Sequence, residues 1–385
     1  MSSRKVLLSS RITAETINQN VKNASYAVRG PIVTRSMEIN QSLKSKEGAS
    51  AFPFKKIIAC NIGNPHSLGQ KSLTFVRDVL SLVVNPSLLE SSLFPDDAVD
   101  RAKKYLQGTP DVGAYTESQG IFSIREEVAK FLEKRDGYPS NPSDIFLTNG
   151  ASEGVRFCMQ TLLRDPREGF NDGVLTPIPQ YPLYSALTTL LQGHQVPYYL
   201  DEEDEWGCSA TFLTDALLKA QQSGICPRAV VVINPGNPTG QILSEKTVAD
   251  IITWCKENSI CLMADEVYQE NIWKKDAKFV SFRKVALDMK AFDGDNGLQM
   301  ISFHSVSKVT FNLHKMRSAS TTLFTSFLIF VGIHGRMWFA RRILRNPRNP
   351  RICQRRDPKA RINIFVQQHD WTDNNRPDGQ STRER

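Results

Sequence analysis

The 385-residue chain has no hydrophobic run long enough to cross a bilayer. The longest, residues 323–331, includes Thr325 and Ser326, and spanning takes about twenty apolar residues. No membrane partner is expected. Cysteine is sparse and odd in number: Cys60, Cys158, Cys208, Cys226, Cys255, Cys261 and Cys353 form no C-x-x-C pair. That spacing excludes a disulfide framework and a zinc site and fits reduced thiols. The six histidines are as dispersed, and no metal is assigned. His304, inside an apolar strand pattern, reads as a core histidine. Acid is short at one end only. Residues 309–385 hold 15 Lys+Arg against 5 Asp+Glu, which leaves 33 against 35 for residues 1–308. The net charge of +8 therefore belongs to the tail, and the rest of the chain gives no reason to expect a nucleic acid. A basic RNA- or membrane-binding tail on an inactive product is the non-enzyme alternative. The N-terminus has Arg and Ser and no acid before Glu15. It reads as a loose start on a cytoplasmic protein, with a mitochondrial targeting peptide as the alternative.

What is present has the organisation of an α/β protein. Residues 1–50 read as an arm, helical in tendency, with a turn-like apolar insert at 25–33. Residues 51–107 read as part of a small domain, with a strand at 57–60 and helical spacing at 73–84 and 96–106, the latter capped by Asp96. A glycine-bounded loop over 113–121 carries Tyr115. A helix over 124–137, stopped by Gly137, follows. From residue 144 to 308 apolar strands alternate with helices, the rhythm of a mostly parallel sheet covered on both faces. Residues 108–308 thus form a large domain and 309–385 a tail expected to be disordered.

The stretch that organises the chemistry is ISFHSVSK, 301–308: a short apolar strand leading to Ser305, Ser307 and Lys308. A lysine at a strand mouth between hydroxyls is a candidate for covalent amine chemistry. Upstream lie Asn237 in NPGNPTG, Asp265 and Tyr268 in ADEVY, Tyr181 in PQYPLY, and Gly150, Ala151 and Ser152 in TNGAS. Singly, each could be only a turn, a strand end or a helix cap. In this order, on the carboxyl ends of strands of one sheet, they match what pyridoxal 5'-phosphate requires. Lys308 would hold its aldehyde and Asp265 its pyridine nitrogen. Asn237 and Tyr268 would donate to its phenolic oxygen. The amides of Gly150, Ala151 and Ser152 would hold its phosphate at a helix N-terminus, with Ser305 and Ser307 adding hydroxyls, and Tyr181 would cover the ring.

These residues resemble the class I/II aminotransferases of fold type I over about residues 25–308. The longer stretches YAVRGPIV, CNIGNPHSLGQ, GAYTESQGI, PIPQYPLYSA and SFHSVSK look like the alanine aminotransferases. The resemblance implies a mostly parallel sheet between helices in a large domain, with a smaller N-terminal α/β part. It also implies transfer of the amino group of L-alanine to 2-oxoglutarate by a ping-pong route through pyridoxal phosphate. Lys308 would move the substrate's α-proton, Gly63 would lie beside the substrate carboxylate, and Tyr115 would reach the phosphate of a neighbouring subunit in a homodimer. Glutamate:glyoxylate amino transfer, or another fold-type I reaction such as aminocyclopropane-carboxylate synthesis, stays open.

The resemblance stops after Lys308, where the family has a glycine-rich turn and a phosphate-binding arginine. Codons for K-G-F-M-G-E-C-G, read from the third base, give GIHGRMW, which is the sequence of residues 332–338. Residues 309–331 begin with a Val codon, GT, and a Val-Gly junction follows that permits TAG. The tail therefore reads as a retained intron and the frame shift it causes. Two expectations follow: a vacancy in the sheet where the family has an antiparallel strand, and impaired turnover.

Overall fold

The computed structural model describes residues 12–26, 30–59, 69, 71, 74–110, 112–308 and 328–334. Gly63, expected beside the substrate carboxylate, lies outside them. Among the described residues seven strands form one sheet: β1 (Ile145–Asn149), β2 (Asp172–Ile178), β3 (His194–Tyr199), β4 (Cys226–Ile233), β5 (Cys261–Asp265), β6 (Met300–Ser305) and β7 (Leu328–His334). Their order is β1-β7-β6-β5-β4-β2-β3. The pairs β2–β3, β2–β4, β4–β5 and β5–β6 are parallel, and β7 is antiparallel to both its neighbours. The mostly parallel α/β architecture expected from the alternating pattern is the one observed.

Apolar runs place the middle of the sheet in the core. Residues of β5 and β6 are buried throughout, and β4 is buried from Ala229 to its end. Helices Ala210–Gln222, Glu245–Glu257 and Phe282–Asp288 press Leu213, Ile251, Ile252, Trp254 and Phe282 onto this region. Each such side chain contributes about 1.5–3 kcal/mol on burial. The three helices start alike. Ser209, Ser244 and Ser281 accept from the amides of Phe212, Thr247 and Lys284, caps worth about 1 kcal/mol apiece. Helix Ala151–Leu162 also buries Val155 and Met159.

In the N-terminal part, helix Thr74–Val84 packs on Asp96–Gly108 through Val79, Leu82, Val83, Ala98 and Ala102. Helix Phe122–Asp136 ends on Gly137 at φ 79°, the left-handed cap that glycine adopts without penalty. Three local expectations need correction. Pro95, not Asp96, is the N-cap of Asp96–Gly108; Asp96 and Asp97 instead set negative charge in the first turn, where the helix dipole favours it. Residues 57–59 belong to no strand, and Ile58 is 78% exposed, so an apolar run without burial did not suffice. Pro31 opens helix Pro31–Ser42 within the presumed turn-like insert, because proline's fixed φ suits a first helical position.

The expected vacancy in the sheet does not occur. β7 occupies it, and Ile329 is the register partner of both Thr148 on β1 and Ser305 on β6. The expectation turned on residues 345–359, whose prolines and charges oppose pairing. The sequence LIFVGIH is aromatic and β-branched and has the propensity that the slot selects. Pairing therefore runs past the boundary expected at residue 308. Residues 309–327 and 335–385 of the expected tail lie outside the described residues.

Candidate active site

The order of the sheet reverses beside β2: the chain passes outward from β2 to β3, then returns to lay β4 on the other side. Crevices at the carboxyl ends of strands near such a reversal are where open α/β sheets bind ligands. Tyr181 follows β2, Asn237 follows β4, Asp265 ends β5, Ser305 ends β6, and Gly150 follows β1.

Lys308 closes a single 3-10 turn after β6. Its Nζ lies 5.4 Å from the centre of the Tyr268 ring. The Tyr268 hydroxyl accepts a hydrogen bond from Asn237 Nδ2 at 3.2 Å. Burial and the nearby Asp265 push the Tyr268 phenol above its ordinary value, and the Asn237 bond opposes them. Ser305 Oγ and Ser307 Oγ are 2.6 Å apart, and Ser305 Oγ also accepts from the Ser307 amide at 3.2 Å.

Asp265 is 5% exposed. Its Oδ2 accepts from the Tyr184 hydroxyl at 2.6 Å and its Oδ1 from the Val267 amide at 3.3 Å. Burial raises its carboxyl above the usual range, while those two donors and the charge of Lys308 act the other way. Neutral donors do not compensate a buried carboxylate fully; a cation beside it would. After β1, Gly150 is the N-cap of Ala151–Leu162, at φ 93° and ψ 151°, with no side-chain cap. Its backbone conformation is essentially restricted to glycine, and the first-turn amides of Ala151 and Ser152 stand at the positive end of the helix, suited to an anion. A cation-seeking carboxylate, an anion-seeking helix start and a lysine that follows two hydroxyl residues together fit pyridoxal phosphate.

Tyr181 lies within the field of Tyr268, and burial with the Tyr26 hydroxyl pushes its phenol up, so it belongs to the cluster. Tyr115 is 84% exposed, in a loop tied down by Arg125. That side chain donates Nε to the Gly120 carbonyl and Nη1 to the Pro142 carbonyl, and pairs with Glu117.

Two tyrosines enter the cluster without having been singled out. Tyr184 had a usable signal: three residues after Tyr181, it lies about one helical turn on. Tyr26 had none, for its hydroxyl meets that of Tyr181 at 2.6 Å across 155 residues of sequence.

Behind Asp265 lies a buried polar layer. Asp136 accepts from Arg135, Arg283 and Ser281 at 2.6–2.9 Å. Burial would raise its carboxyl, but the two guanidinium groups hold it below the usual range. Arg135 Nη1 donates to Gln269 Oε1 at 2.8 Å, and Gln269 Nε2 lies 2.9 Å from His304 Nε2. His304 stacks on Phe131 and is pushed down to about 3, first by burial and then by Arg135. It is the core histidine its strand context implied. Glu266, 1% exposed, accepts from the Phe282 amide at 2.8 Å and is raised to about 7, chiefly by burial.

Fold and site together define an α/β protein with a lysine, a buried carboxylate and an uncapped helix start at the carboxyl ends of the strands of one sheet. The model of the family "Aminotransferase class I and II" matches residues 77–322. The chain belongs to that family, whose members of the alanine aminotransferase type depend on pyridoxal phosphate. It is 48% identical over 299 residues to glutamate–glyoxylate aminotransferase 2 of Arabidopsis thaliana, covering 76% of this chain and 59% of that protein. It is also 48% identical over 303 residues to mitochondrial alanine aminotransferase 1 of the same plant, covering 77% and 54%. Against alanine aminotransferase 1 of Rattus norvegicus the identity is 44% over 309 residues, covering 80% and 61%. The chain thus spans less than two thirds of the length of these relatives. In fold it is similar to an aminotransferase from Escherichia coli, with TM-score 0.59 at 24% identity over 86% of this chain and 64% of that one. The alanine aminotransferase of Pyrococcus furiosus gives TM-score 0.58 at 18% identity over 84% and 65%.

Proposed function

We propose that this chain is a pyridoxal-phosphate-dependent transaminase acting on L-alanine and 2-oxoglutarate to give pyruvate and L-glutamate. The observation that carries the reading is the position of Lys308, over the Tyr268 ring and within the field of buried Asp265. Bound pyridoxal phosphate supplies an aldehyde for the amine and a protonated ring that accepts electrons from the substrate's α-carbon. The chain supplies the rest. Asp265 keeps the ring nitrogen protonated, which requires a carboxylate held where water cannot compete. Asn237 and Tyr268 hold the phenolic oxygen. The helix start at Gly150, Ala151 and Ser152, with Ser305 and Ser307, holds the phosphate. Tyr181 covers one face of the ring. Lys308 Nζ would take the α-proton from the substrate as general base.

On the same reading Gly63 flanks the substrate carboxylate and the exposed Tyr115 completes the phosphate site of a second copy, so the working unit is a homodimer. Among the described residues no helix is long and apolar enough to cross a membrane. A cytoplasmic location is proposed, with mitochondrial as the alternative that relatives such as the Arabidopsis protein favour. Glutamate:glyoxylate transfer is the second reading, favoured by identity to the plant enzyme of that name. Turnover is expected to be reduced, since the resemblance places the family's phosphate-binding arginine beyond Lys308, where this sequence diverges. The test is to add pyridoxal phosphate to the purified full chain, reduce with borohydride and map the adduct, then assay alanine, glutamate, aspartate and glyoxylate as amino donors or acceptors. A Lys308 adduct that is lost in Lys308→Ala is expected; labelling elsewhere, unchanged in that variant, would refute the assignment.

A further inference from the structure

The segment before the first long helix reaches the site. Helix Gln19–Asn23 packs against helix Leu183–Leu190, which begins two residues after Tyr181. Three residues beyond Asn23, Tyr26 meets Tyr181: the hydroxyl oxygens are 2.6 Å apart, and the rings stand edge to face, centroids 6.2 Å apart at 81°. Either hydroxyl can donate, so the contact ties the two tyrosines to each other directly.

We propose that Tyr26 is a positioning residue, which fixes the Tyr181 ring over the place of the cofactor from a part of the chain 155 residues away. The proposal rests on the pyridoxal-phosphate reading of the site. Tyr181 sits on the short connection between β2 and helix Leu183–Leu190. The following helix is held at the other side of the connection by Tyr184, through Asp265. Tyr181 itself needs an anchor, because its ring can otherwise pivot about its Cα–Cβ and Cβ–Cγ bonds. Tyr26 supplies that anchor twice, by its hydroxyl and by an edge-to-face ring contact that resists the same rotation.

The test titrates the full chain and its Tyr26→Phe, Tyr181→Phe and double variants with pyridoxal 5'-phosphate. It reads apparent affinity and the visible circular dichroism of the bound cofactor, with borohydride trapping at Lys308 as the check on the site. Phe keeps the ring at a position 38% exposed, so folding is retained. Tyr26→Phe is expected to weaken apparent affinity about 2- to 10-fold, the equivalent of one hydrogen bond, and to reduce the visible dichroism while the Lys308 adduct still forms. The double variant should be no worse than Tyr181→Phe, since Tyr26 acts through that hydroxyl. Affinity and dichroism unchanged in Tyr26→Phe, or effects that simply add in the double variant, overturn the role of Tyr26 and leave the site reading standing. Absence of a Lys308 adduct in the unaltered chain overturns both.

Discussion

Glu266→Gln should stabilise the protein at neutral and alkaline pH and do nothing at acid pH. Glu266 lies beside Asp265 in sequence, is 1% exposed, and accepts a hydrogen bond from the Phe282 amide. Burial, followed in smaller measure by repulsion from Asp136 and Asp265, raises its carboxyl from 4.5 to about 7, with Arg135 and the Phe282 amide in opposition. A carboxyl whose pKa is higher in the folded state binds protons more tightly there than in the unfolded chain. Stability then falls as pH rises from the unfolded value to the folded one. The interval from 4.5 to about 7 is worth roughly 3 kcal/mol once pH exceeds both values. Glutamine keeps an oxygen for the Phe282 amide and cannot ionise. The gain should be near zero at pH 4, grow across pH 4.5–7, and level off near ~3 kcal/mol by pH 8. Urea unfolding of both proteins, followed by the fluorescence of buried Trp254, measures it. A difference that does not vary with pH, or a variant less stable at pH 8, would show that Arg135 compensates the Glu266 charge in full and that the reasoning is wrong.

Tyr184→Phe removes the 2.6 Å donor to Asp265. It should destabilise by about 1–3 kcal/mol, more at pH 8 than at pH 5 because the lost bond favoured the ionised carboxyl; thermal unfolding at the two pH values checks the sign. Gly150→Ala forces a Cβ onto φ 93° and ψ 151°. A loss of about 1–3 kcal/mol, with weaker pyridoxal-phosphate binding, is expected in equilibrium unfolding and cofactor titration. Arg283→Met leaves Asp136 with Arg135 and Ser281 but strips a 2.8 Å buried pair and the bond to the Pro139 carbonyl. Denaturant unfolding should report a loss of about 3 kcal/mol, the low end for a broken buried pair because one guanidinium remains.

Sequence alone determined the parts of this protein in which chemistry is local. Continuous apolar runs made β4, β5 and β6 legible as buried strands, because a strand covered on both faces needs no polar alternation. Gly137 marked a helix end through its tolerance of positive φ. Asp265, Asn237, Tyr268, Tyr181 and Lys308 could be nominated because each follows or ends such a strand. Tertiary structure decided what depends on partners distant in the chain. Whether an apolar run becomes a strand depends on an available edge: residues 57–59 entered none, whereas LIFVGIH became β7 because β1 and β6 each offered one. Only folding joins Tyr184 to Asp265 across 81 residues and Tyr26 to Tyr181 across 155. The state of Glu266 likewise has no local signature. Its carboxyl is raised because the packed sheet and the helix Phe282–Asp288 remove water from it, and removal of water is a property of the assembled core and not of any stretch of chain.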